Sequence, residues 1–504
     1  MNFLPVIWLI AFSVQEIFST NILVILPLPY YSVTSSYMPI IRGLAARGHN
    51  VTLVSPFPQK YPVTNLTDIV FPHIDGKLRD RLRDRDPIKF FGGPWIQLLT
   101  LSGLGLISQV WHLQEWVAAF GHKYNAPVIG ISAKYITPLA AYLTGNYLPP
   151  SYLPVQTLPY TDRLTFVERA INIFHYCWYM FGDQLLYLGA QESLLREHFK
   201  YPGSENRPPL NDMLRNVSLT LMDSSITAIG YPTSLHKNII EIGATNIGGK
   251  LQPLPADLQQ FMDNATDGVI LFSFGSIFNI SELDSSKTEA IFSAFGKVKQ
   301  KMLIKVERES AFINSTMPNA WIRPWLPQSS ILAHPNCKLF ITHCGLHSLM
   351  EAIYHSVPMV AIPMVFDQHF NAKLVETFGI GRSINIAQVA EEKLLKELNE
   401  VLENSSYKEN INRRSAIMKD IPIDPLDNAL YWIEYVIRHR GAPHLRPAVL
   451  DLHWYQYLML DVIALYLLIL VVIIYVIKTV LTLLWRCITF LIFKGKDSKN
   501  IKSE

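Results

Sequence analysis

The stretch that decides the fold is Trp321–Arg382, which reads WIRPWLPQSSILAHPNCKLFITHCGLHSLMEAIYHSVPMVAIPMVFDQHFNAKLVETFGIGR. Its first half predicts a strand, a turn and a helix. The apolar run Lys338–Thr342 ends at His343-Cys344-Gly345, and Leu346–His355 follows with apolar residues at helical spacing.

The second half of the stretch predicts the same unit again. Pro358–Pro363 has the pattern of a buried strand, Asp367-Gln368 stands just beyond it, and Asn371–Phe378 has a helical pattern. Polar residues therefore gather where strands end and helices begin, which is where open α/β sheets bind ligands.

These polar positions suit a nucleotide sugar. A helix that begins after Gly345 directs free N–H groups and a positive dipole end towards an anion. His343 and Ser348 can donate hydrogen bonds to phosphate oxygens. Glu351 lies eight residues beyond His343, about two helical turns on, and its carboxylate can accept bonds from two ribose hydroxyls.

Other residues of the stretch fit the sugar and the base. Asp367-Gln368 offers acceptors and a donor for hexose hydroxyls, and Trp325 offers a flat face for a base. Each residue alone has a structural reading: a core aromatic for Trp325, a turn residue for His343, a solvated helix residue for Glu351 and a helix cap for an Asp at a loop end. The ordered set favours the functional interpretation.

The order W-x-P-Q, T-H-x-G, E, P-x-x-x-x-P and D-Q resembles the signature of the UDP-glycosyltransferases, and the chain is most similar to the insect-type, membrane-bound animal members. Two positions depart from the pattern of many members: His347, and Cys344 where most animal members have Gly. The resemblance implies a donor-binding set: Trp325 on uracil, Gln328 on the nucleoside, His343 and Ser348 on the diphosphate, Glu351 on the ribose, and Asp367 and Gln368 on the transferred sugar. Ser276 would touch the diphosphate from the opposite side of the cleft, with a helix cap as the alternative, and Gly345 and His347 complete the predicted donor-binding residues.

The first half of the chain predicts a doubly wound domain of its own. Ile22–Leu26 and Val51–Val54 are predicted strands, with a helix over Ser36–Arg47 between them. Further on, Gly268–Phe274 and Met302–Val306 are predicted strands around a helix over Ser285–Val298. The residues 243–256, which are rich in Gly and Pro, predict a linker between the two domains.

The acceptor side departs from the family. The resemblance implies a catalytic His in the loop after the first strand, held by an Asp, and that position is occupied by Val33. The region around 70–110 is shorter than in the family, and His112 and Glu115 are the ionisable residues nearby that are candidates for the missing base. The aromatic segment Phe174–Leu188 is interpreted as part of the acceptor pocket, as a surface lying against the membrane, or as a core helix.

Composition limits the functional classes. The chain has 504 residues, a net charge of +3 and 17% charged residues. Such a small net charge does not indicate the strongly positive surface of a nucleic-acid-binding protein. Its four cysteines are too few for a disulfide scaffold, and no Cys/His cluster has ligand spacing, so we expect no metal. We expect no cofactor beyond the UDP-sugar as co-substrate.

The two ends of the chain predict targeting to a membrane. Phe3–Phe12 resembles the apolar part of a signal peptide, with a first core strand as the alternative. The residues 460–484 are apolar enough to span a bilayer. Because the tail 485–504 is basic, the positive-inside rule places it in the cytosol. Seven glycosylation triplets permit a lumenal body: those at Asn50, Asn65, Asn216, Asn264, Asn279, Asn314 and Asn404.

Together with the resemblance, these features predict a GT-B fold: two Rossmann-like doubly wound α/β domains facing a cleft, with one C-terminal transmembrane helix. The predicted segments are a signal peptide (1–20), an acceptor-binding domain (21–242), the linker, a UDP-sugar-binding domain (257–455) with a crossing helix (428–440), the transmembrane helix and the tail.

The predicted function is transfer of a hexose, with glucose from UDP-glucose favoured, with inversion onto a hydroxyl of a small lipophilic acceptor, as in detoxification. The predicted location is the endoplasmic reticulum membrane, single-pass type I with a lumenal body, and a homo-oligomer is left open. The alternatives are a catalytically impaired, membrane-anchored pseudoenzyme that binds a UDP-sugar or a lipophile, and another GT-B activity such as epimerisation of a UDP-sugar.

Overall fold

Two parallel β-sheets organise the part of the chain that precedes the membrane-type helix. The computed structural model describes residues 19–27, 31–70, 104–108, 114–225, 229–243, 245–249, 251–275, 280, 283–306 and 319–500, with the side chains of 104, 105, 183 and 491–500 excepted. By internal contacts the chain divides into a unit from Met1 to Pro447 and a unit from Ala448 to Glu504. Both sheets belong to the first unit.

Seven described strands form the first sheet, in the order β3-β2-β1-β4-β5-β6-β7. All of its strand pairs are parallel. The inner strands are apolar runs such as NILVI and VIGIS, because helices cover both faces of a parallel sheet. The strands are β1 (Asn21–Ile25), β2 (Asn50–Ser55), β3 (Leu66–Val70), β4 (Leu104–Ser108), β5 (Val128–Ser132), β6 (Leu219–Met222) and β7 (Ile239–Glu241).

Six described strands form the second sheet, in the order β10-β9-β8-β11-β12-β13, again with parallel pairs throughout. Both sheets reverse their strand order next to their first strand, and ligands bind at such a switch point in doubly wound folds. The strands are β8 (Val269–Ser273), β9 (Lys301–Lys305), β10 (Ala320–Arg323), β11 (Cys337–Thr342), β12 (Met359–Ala361) and β13 (Gly381–Ser383).

Helices pack on the faces of both sheets within the first unit. Those of the first half are α1 (Tyr31–Ala46), α2 (Ala119–Tyr124), α3 (Pro138–Leu143), α4 (Phe166–Cys177), α5 (Gly189–His198) and α6 (Leu210–Arg215). Those of the second half are α7 (Ala256–Asp263), α8 (Ser285–Gly296), α9 (Gln328–Leu332), α10 (Leu346–Tyr354), α11 (Gln368–Thr377), α12 (Glu391–Glu403), α13 (Ser405–Lys419) and α14 (Pro425–Arg438).

Helix α1 begins earlier than the predicted start at Ser36. Its first turn is rich in hydroxyl groups, which usually disfavour helix interiors, yet here they bond backwards onto the helix. The hydroxyl of Ser35 donates to the carbonyl of Ser32 at 2.9 Å, and that of Ser36 donates to the carbonyl of Val33 at 2.8 Å. Val33 therefore lies in the first turn of a helix and packs against the core of the first sheet.

Helix α14 overlaps the predicted crossing segment 428–440 and packs onto the first sheet's core. Leu430 and Ile433 are buried there, and Arg47 at the end of α1 pairs with Asp427 at 2.9 Å and Glu434 at 3.1 Å. A Cβ on Gly43 would lie 2.8 Å from Leu430, so the two helices approach closely.

The aromatic segment between α4 and α5 is not a core helix. Trp178–Leu188 is a π-helix. This form is rare in proteins, and where it occurs it is frequently at a functional site. Phe174, Phe181 and Leu185 are each more than 60% exposed, and their apolar surface is therefore open to contact.

The second unit contains two further helices, α15 (Trp454–Tyr457) and α16 (Leu460–Asn500). Within α16, Leu460–Phe490 is long and apolar enough to cross a membrane, and none of its most apolar window is buried. The predicted span 460–484 falls inside it.

Candidate active site

The predicted donor residues cluster at the switch point of the second sheet. There β11 ends, Cys344 takes a left-handed conformation at φ 63°, and Gly345 forms the N-cap of α10. The nine residues of α10 direct their first free N–H groups to this point, which favours an anion.

His343 lies between two glycines at this turn. A Cβ on Gly345 would be 2.7 Å from its Nε2 atom, and a Cβ on Gly275 would be 2.7 Å from its Cε1 atom. Burial lowers the pKa of His343 to about 4, with the charge of Asp367 opposing the shift and that of Lys305 adding to it. His343 is therefore a neutral imidazole near pH 7, able to hydrogen-bond an anion without carrying charge.

Gln328, Ser348 and Glu351 form a connected polar chain. The Nε2 group of Gln328 donates to the hydroxyl of Ser348 at 3.2 Å and to a carboxylate oxygen of Glu351. Burial raises the pKa of Glu351, while the bond from Gln328 and the neighbouring His347 oppose the rise. Three residues predicted to touch the nucleotide are thus linked through the side chain of Gln328.

Trp325 offers an exposed ring beside this chain. The ring is 55% exposed, and Tyr31 contacts it edge-on with 5.2 Å between ring centroids. The ammonium of Lys305, at the end of β9, lies 5.3 Å from the Trp325 ring and donates to the carbonyl of Gly275. Lys305 therefore brings a positive charge to the rim of the cluster.

Asp367 and Gln368 stand where α11 begins. Asp367 is 8% exposed, pairs with Lys134 at 3.3 Å, and accepts from the amide of Asn371 at 2.9 Å. The side-chain oxygen of Gln368 accepts from the backbone N–H groups of Met364 and Val365. The oxygen of Gln368 thus shapes the loop, and the Asp367 carboxylate is held by Lys134, which follows β5, and by Asn371 of α11.

His347 bonds across the cleft between the sheets. Its Nε2 atom lies 3.0 Å from the Oδ2 atom of Asp223, which directly follows β6. Burial acts to lower the pKa of His347, but the hydrogen bond and charge of Asp223, with Glu351 and Asp367, raise it overall.

A cavity of about 270 Å³ adjoins Asp367 on the side of the first sheet. Glu115, one of the two candidates for the missing base, lines the cavity. Its carboxylate accepts hydrogen bonds from the hydroxyl of Tyr187 at 2.9 Å and from the amide of Gln191 at 2.8 Å. Lys134 lines the same cavity, which also has the apolar wall Leu139, Leu143 and Val155. Such a cavity suits a small, mostly apolar molecule with one polar end.

Other predicted residues lie outside the described part of the chain. They are Ser276, His112, most of the shortened region around 70–110, and most of the signal segment 1–20. Sequence reasoning missed Lys134, Asp223 and Lys305. Each follows or ends a strand at the cleft side of its sheet, and that position is the signal that could have found them.

Comparison with known proteins identifies the family. The family model described as "UDP-glucoronosyl and UDP-glucosyl transferase" matches residues 120–496. The chain is 34% identical to UDP-glycosyltransferase UGT4 of Dactylopius coccus, over 91% of this chain and 94% of that protein. It is 38% identical to UDP-glucuronosyltransferase 1A7 of Homo sapiens, over 84% of each protein.

Solved structures give the fold. Os79 from O. sativa, in complex with UDP, matches with a TM-score of 0.55 at 18% identity, over 82% of this chain and 99% of that one. The calicheamicin glycosyltransferase CalG4 matches with a TM-score of 0.56 at 15% identity, over 84% of this chain and 100% of that one. The predicted GT-B fold is confirmed, and the chain belongs to the UDP-glycosyltransferase family.

Proposed function

We propose that this chain transfers a hexose from a UDP-sugar to a hydroxyl group of a small lipophilic acceptor, with inversion at the anomeric carbon. The observation that carries the proposal is the convergence of His343, Ser348, Glu351, Gln328 and Trp325 at one switch point. Family membership supports glycosyl transfer in general, and the finer statements about donor, acceptor and stereochemistry are ours.

The donor would lie across the N-terminus of α10. The first N–H groups of α10 and the Ser348 hydroxyl would hold the diphosphate, and the Glu351 carboxylate would accept from the ribose hydroxyls. Trp325 would stack on the uracil. Asp367 and Gln368 would hold the hexose next to the cavity, so that its anomeric carbon faces the acceptor.

The reaction would be a single displacement. The acceptor oxygen forms a bond to the anomeric carbon while the bond from that carbon to the diphosphate oxygen breaks, and UDP leaves with the electron pair. The helix N-terminus stabilises the negative charge that develops on UDP. The acceptor's proton must go to a base, and Glu115 is the described cavity residue that we propose for it.

We further propose glucose as the donor sugar and the endoplasmic reticulum membrane as the location, with the body lumenal. The similarity to UDP-glucosyltransferase 2 of Dactylopius coccus, which is 33% identical over 88% of this chain, supports the first statement. The apolar helix Leu460–Phe490 and the basic tail after it support the second.

A non-catalytic function is the second candidate. Val33 replaces the expected catalytic His and lies in the first turn of α1, packed against the core of the first sheet. A chain that keeps a donor site without a working base would bind UDP-sugars and turn none over.

One pair of assays on membranes carrying the full chain separates the two candidates: UDP binding, and UDP release with UDP-glucose plus a panel of phenols and aliphatic alcohols. The control carries His343→Ala and Asp367→Ala together. Turnover that is lost in the control supports the transferase. Binding without turnover on any acceptor or donor sugar would establish the pseudoenzyme, with Val33→His as the rescue to attempt. Absence of UDP binding would refute both candidates.

A further inference from the structure

We propose that His347 and Asp223 form a proton-linked clamp on the donor diphosphate: Asp223 keeps the imidazole of His347 charged, and nucleotide-sugar affinity therefore depends on pH. The clamp rests on the proposed donor site. It adds Asp223 as a positioning residue that acts through His347.

The pair joins the two sheets at the donor turn. His347 is the second residue of α10, within the first turn whose N–H groups face the expected diphosphate. Asp223 arrives from the other sheet, at the end of β6, and its backbone N–H bonds to the carbonyl of Ser132 at 2.8 Å. The carboxylate is thus held by a rigid strand end, 3.0 Å from Nε2 of His347.

The electrostatics of the pair favour a charged imidazole. The side chain of Asp223 is fully buried, and its second oxygen, Oδ1, has no hydrogen-bond partner within the described structure. A buried carboxylate with one bond is costly to keep charged unless a cation lies beside it. His347 is the ionisable neighbour that supplies this cation.

A charged imidazole at a helix N-terminus needs anions around it, because the helix dipole opposes it there. Asp223 supplies one across the cleft, and Glu351 and Asp367 act on His347 from α10 and from the loop before α11. The donor diphosphate would bring further negative charge to the same turn.

Binding and protonation are therefore linked. A diphosphate that binds the charged form of His347 more tightly must also raise the proton affinity of His347. The factor by which it does so equals the ratio of its affinities for the charged and the neutral form. Affinity for the nucleotide sugar should then fall as pH rises through the titration of His347. The charged imidazole would also stabilise the negative charge on departing UDP.

The clamp differs from a relocated general base. His347 belongs to the helix turn that holds the leaving diphosphate, whereas inversion requires the acceptor's base on the opposite side of the anomeric carbon. The His–Asp pair thus serves the leaving group.

The test is calorimetric titration of the full chain, in detergent, with UDP-glucose between about pH 6 and about pH 8. UDP-glucose is the probe because the terminal phosphate of UDP itself titrates near pH 6, as phosphate monoesters do. Two buffers of different ionisation enthalpy give the number of protons taken up on binding.

We expect the wild-type chain to take up part of one proton and to lose affinity by at most about tenfold per pH unit, the limit for one linked proton. His347→Asn should bind without proton uptake and with an affinity independent of pH. Asp223→Asn should move the pH dependence to lower pH. His355→Asn, at the C-cap of the same helix, is the matched control, because burial already lowers the pKa of His355 to about 4 and leaves it neutral throughout this pH range.

Each outcome decides the proposal. Unchanged pH dependence and proton uptake in His347→Asn would overturn the clamp, as would a wild-type chain that binds UDP-glucose equally at every pH; both leave the donor site intact. A folded wild-type chain that binds no UDP-glucose at any pH would overturn the clamp and the proposed function together. If Asp223→Asn does not fold, the His347→Asn result decides alone.

Discussion

The substitution Gly345→Ala tests the closest contact in the donor turn. Gly345 has φ −63° and ψ 149°, a conformation open to any residue, so alanine adds no backbone strain. Its new Cβ atom would instead stand 2.7 Å from Nε2 and 3.1 Å from Cε1 of His343. The ring has little room to retreat, because Gly275 approaches the same edge of it.

The size of the effect follows from this overlap. Ordinary contact begins near 3.4 Å, so the ring must move by about 0.7 Å from its place at 2.7 Å. Overpacking of this kind costs about 1–3 kcal/mol of folding free energy. Loss of the hydrogen bond that we propose from His343 to the diphosphate, at about 1.5–3 kcal/mol for a bond to a charged group, would weaken UDP binding by about 10- to 150-fold.

Calorimetric titration with UDP measures the affinity, and thermal melting of the same sample measures the folding. Gly189→Ala is the matched control, because a Cβ there meets nothing within 4 Å. The double variant His343→Ala, Gly345→Ala should regain thermal stability without regaining affinity. A folded Gly345→Ala chain that binds UDP as tightly as wild type would show that His343 does not hold the diphosphate.

Three further results are expected. Glu351→Ala should weaken UDP binding by about tenfold and leave the affinity for 2′,3′-dideoxy-UDP unchanged, because its loss removes acceptors for the two ribose hydroxyls that this analogue lacks; equal losses for both ligands would contradict this. Lys134→Met leaves Asp367 without its cation beside the hexose, so turnover of UDP-glucose should fall by about 10- to 100-fold at constant UDP affinity; unchanged turnover would contradict it. Burial lowers the pKa of His355 from 6.5 to about 4, so the unfolded chain binds a proton in that window that the folded chain does not, and stability falls as pH drops from 6.5 to 4. In urea unfolding, the stability of His355→Asn should fall less steeply than that of wild type over this pH range. An identical fall in the two chains would rule out His355 as a cause of the acid destabilisation.

The strands predicted from the sequence lie close to the observed ones in both sheets, since buried parallel strands are apolar runs bounded by Gly, Ser or His. The predicted strand over Gly268–Phe274 is observed as Val269–Ser273, and the predicted helix over Leu346–His355 as Leu346–Tyr354. The start of α1 was wrong by five residues, because propensity counts serine against a helix and overlooks a hydroxyl that bonds back onto it.

Most of the residues that we propose for the donor site could be predicted from the sequence, because they lie in one stretch whose spacing fixes their relative positions. The periodicity of α10 places Ser348 and Glu351 on one face, and Gln328 reaches both. Asp223 and Lys134 could not be predicted. They come from the other sheet, carry no motif, and meet their partners only through the packing of one sheet's strand ends against the other's.

The proposed acceptor side predicts which acceptors the chain should use. Val33 is packed against the first sheet's core, and the cavity instead offers the carboxylate of Glu115. Carboxylates are weaker bases than imidazole, with ordinary pKa values near 4.3 against 6.5. A weak base suffices for a phenol, whose proton leaves readily, and assists an aliphatic alcohol less, because that proton leaves less readily. A transferase built in this way should therefore prefer phenols to aliphatic alcohols by a wide ratio of rates, whereas a pseudoenzyme gives no rate with either class.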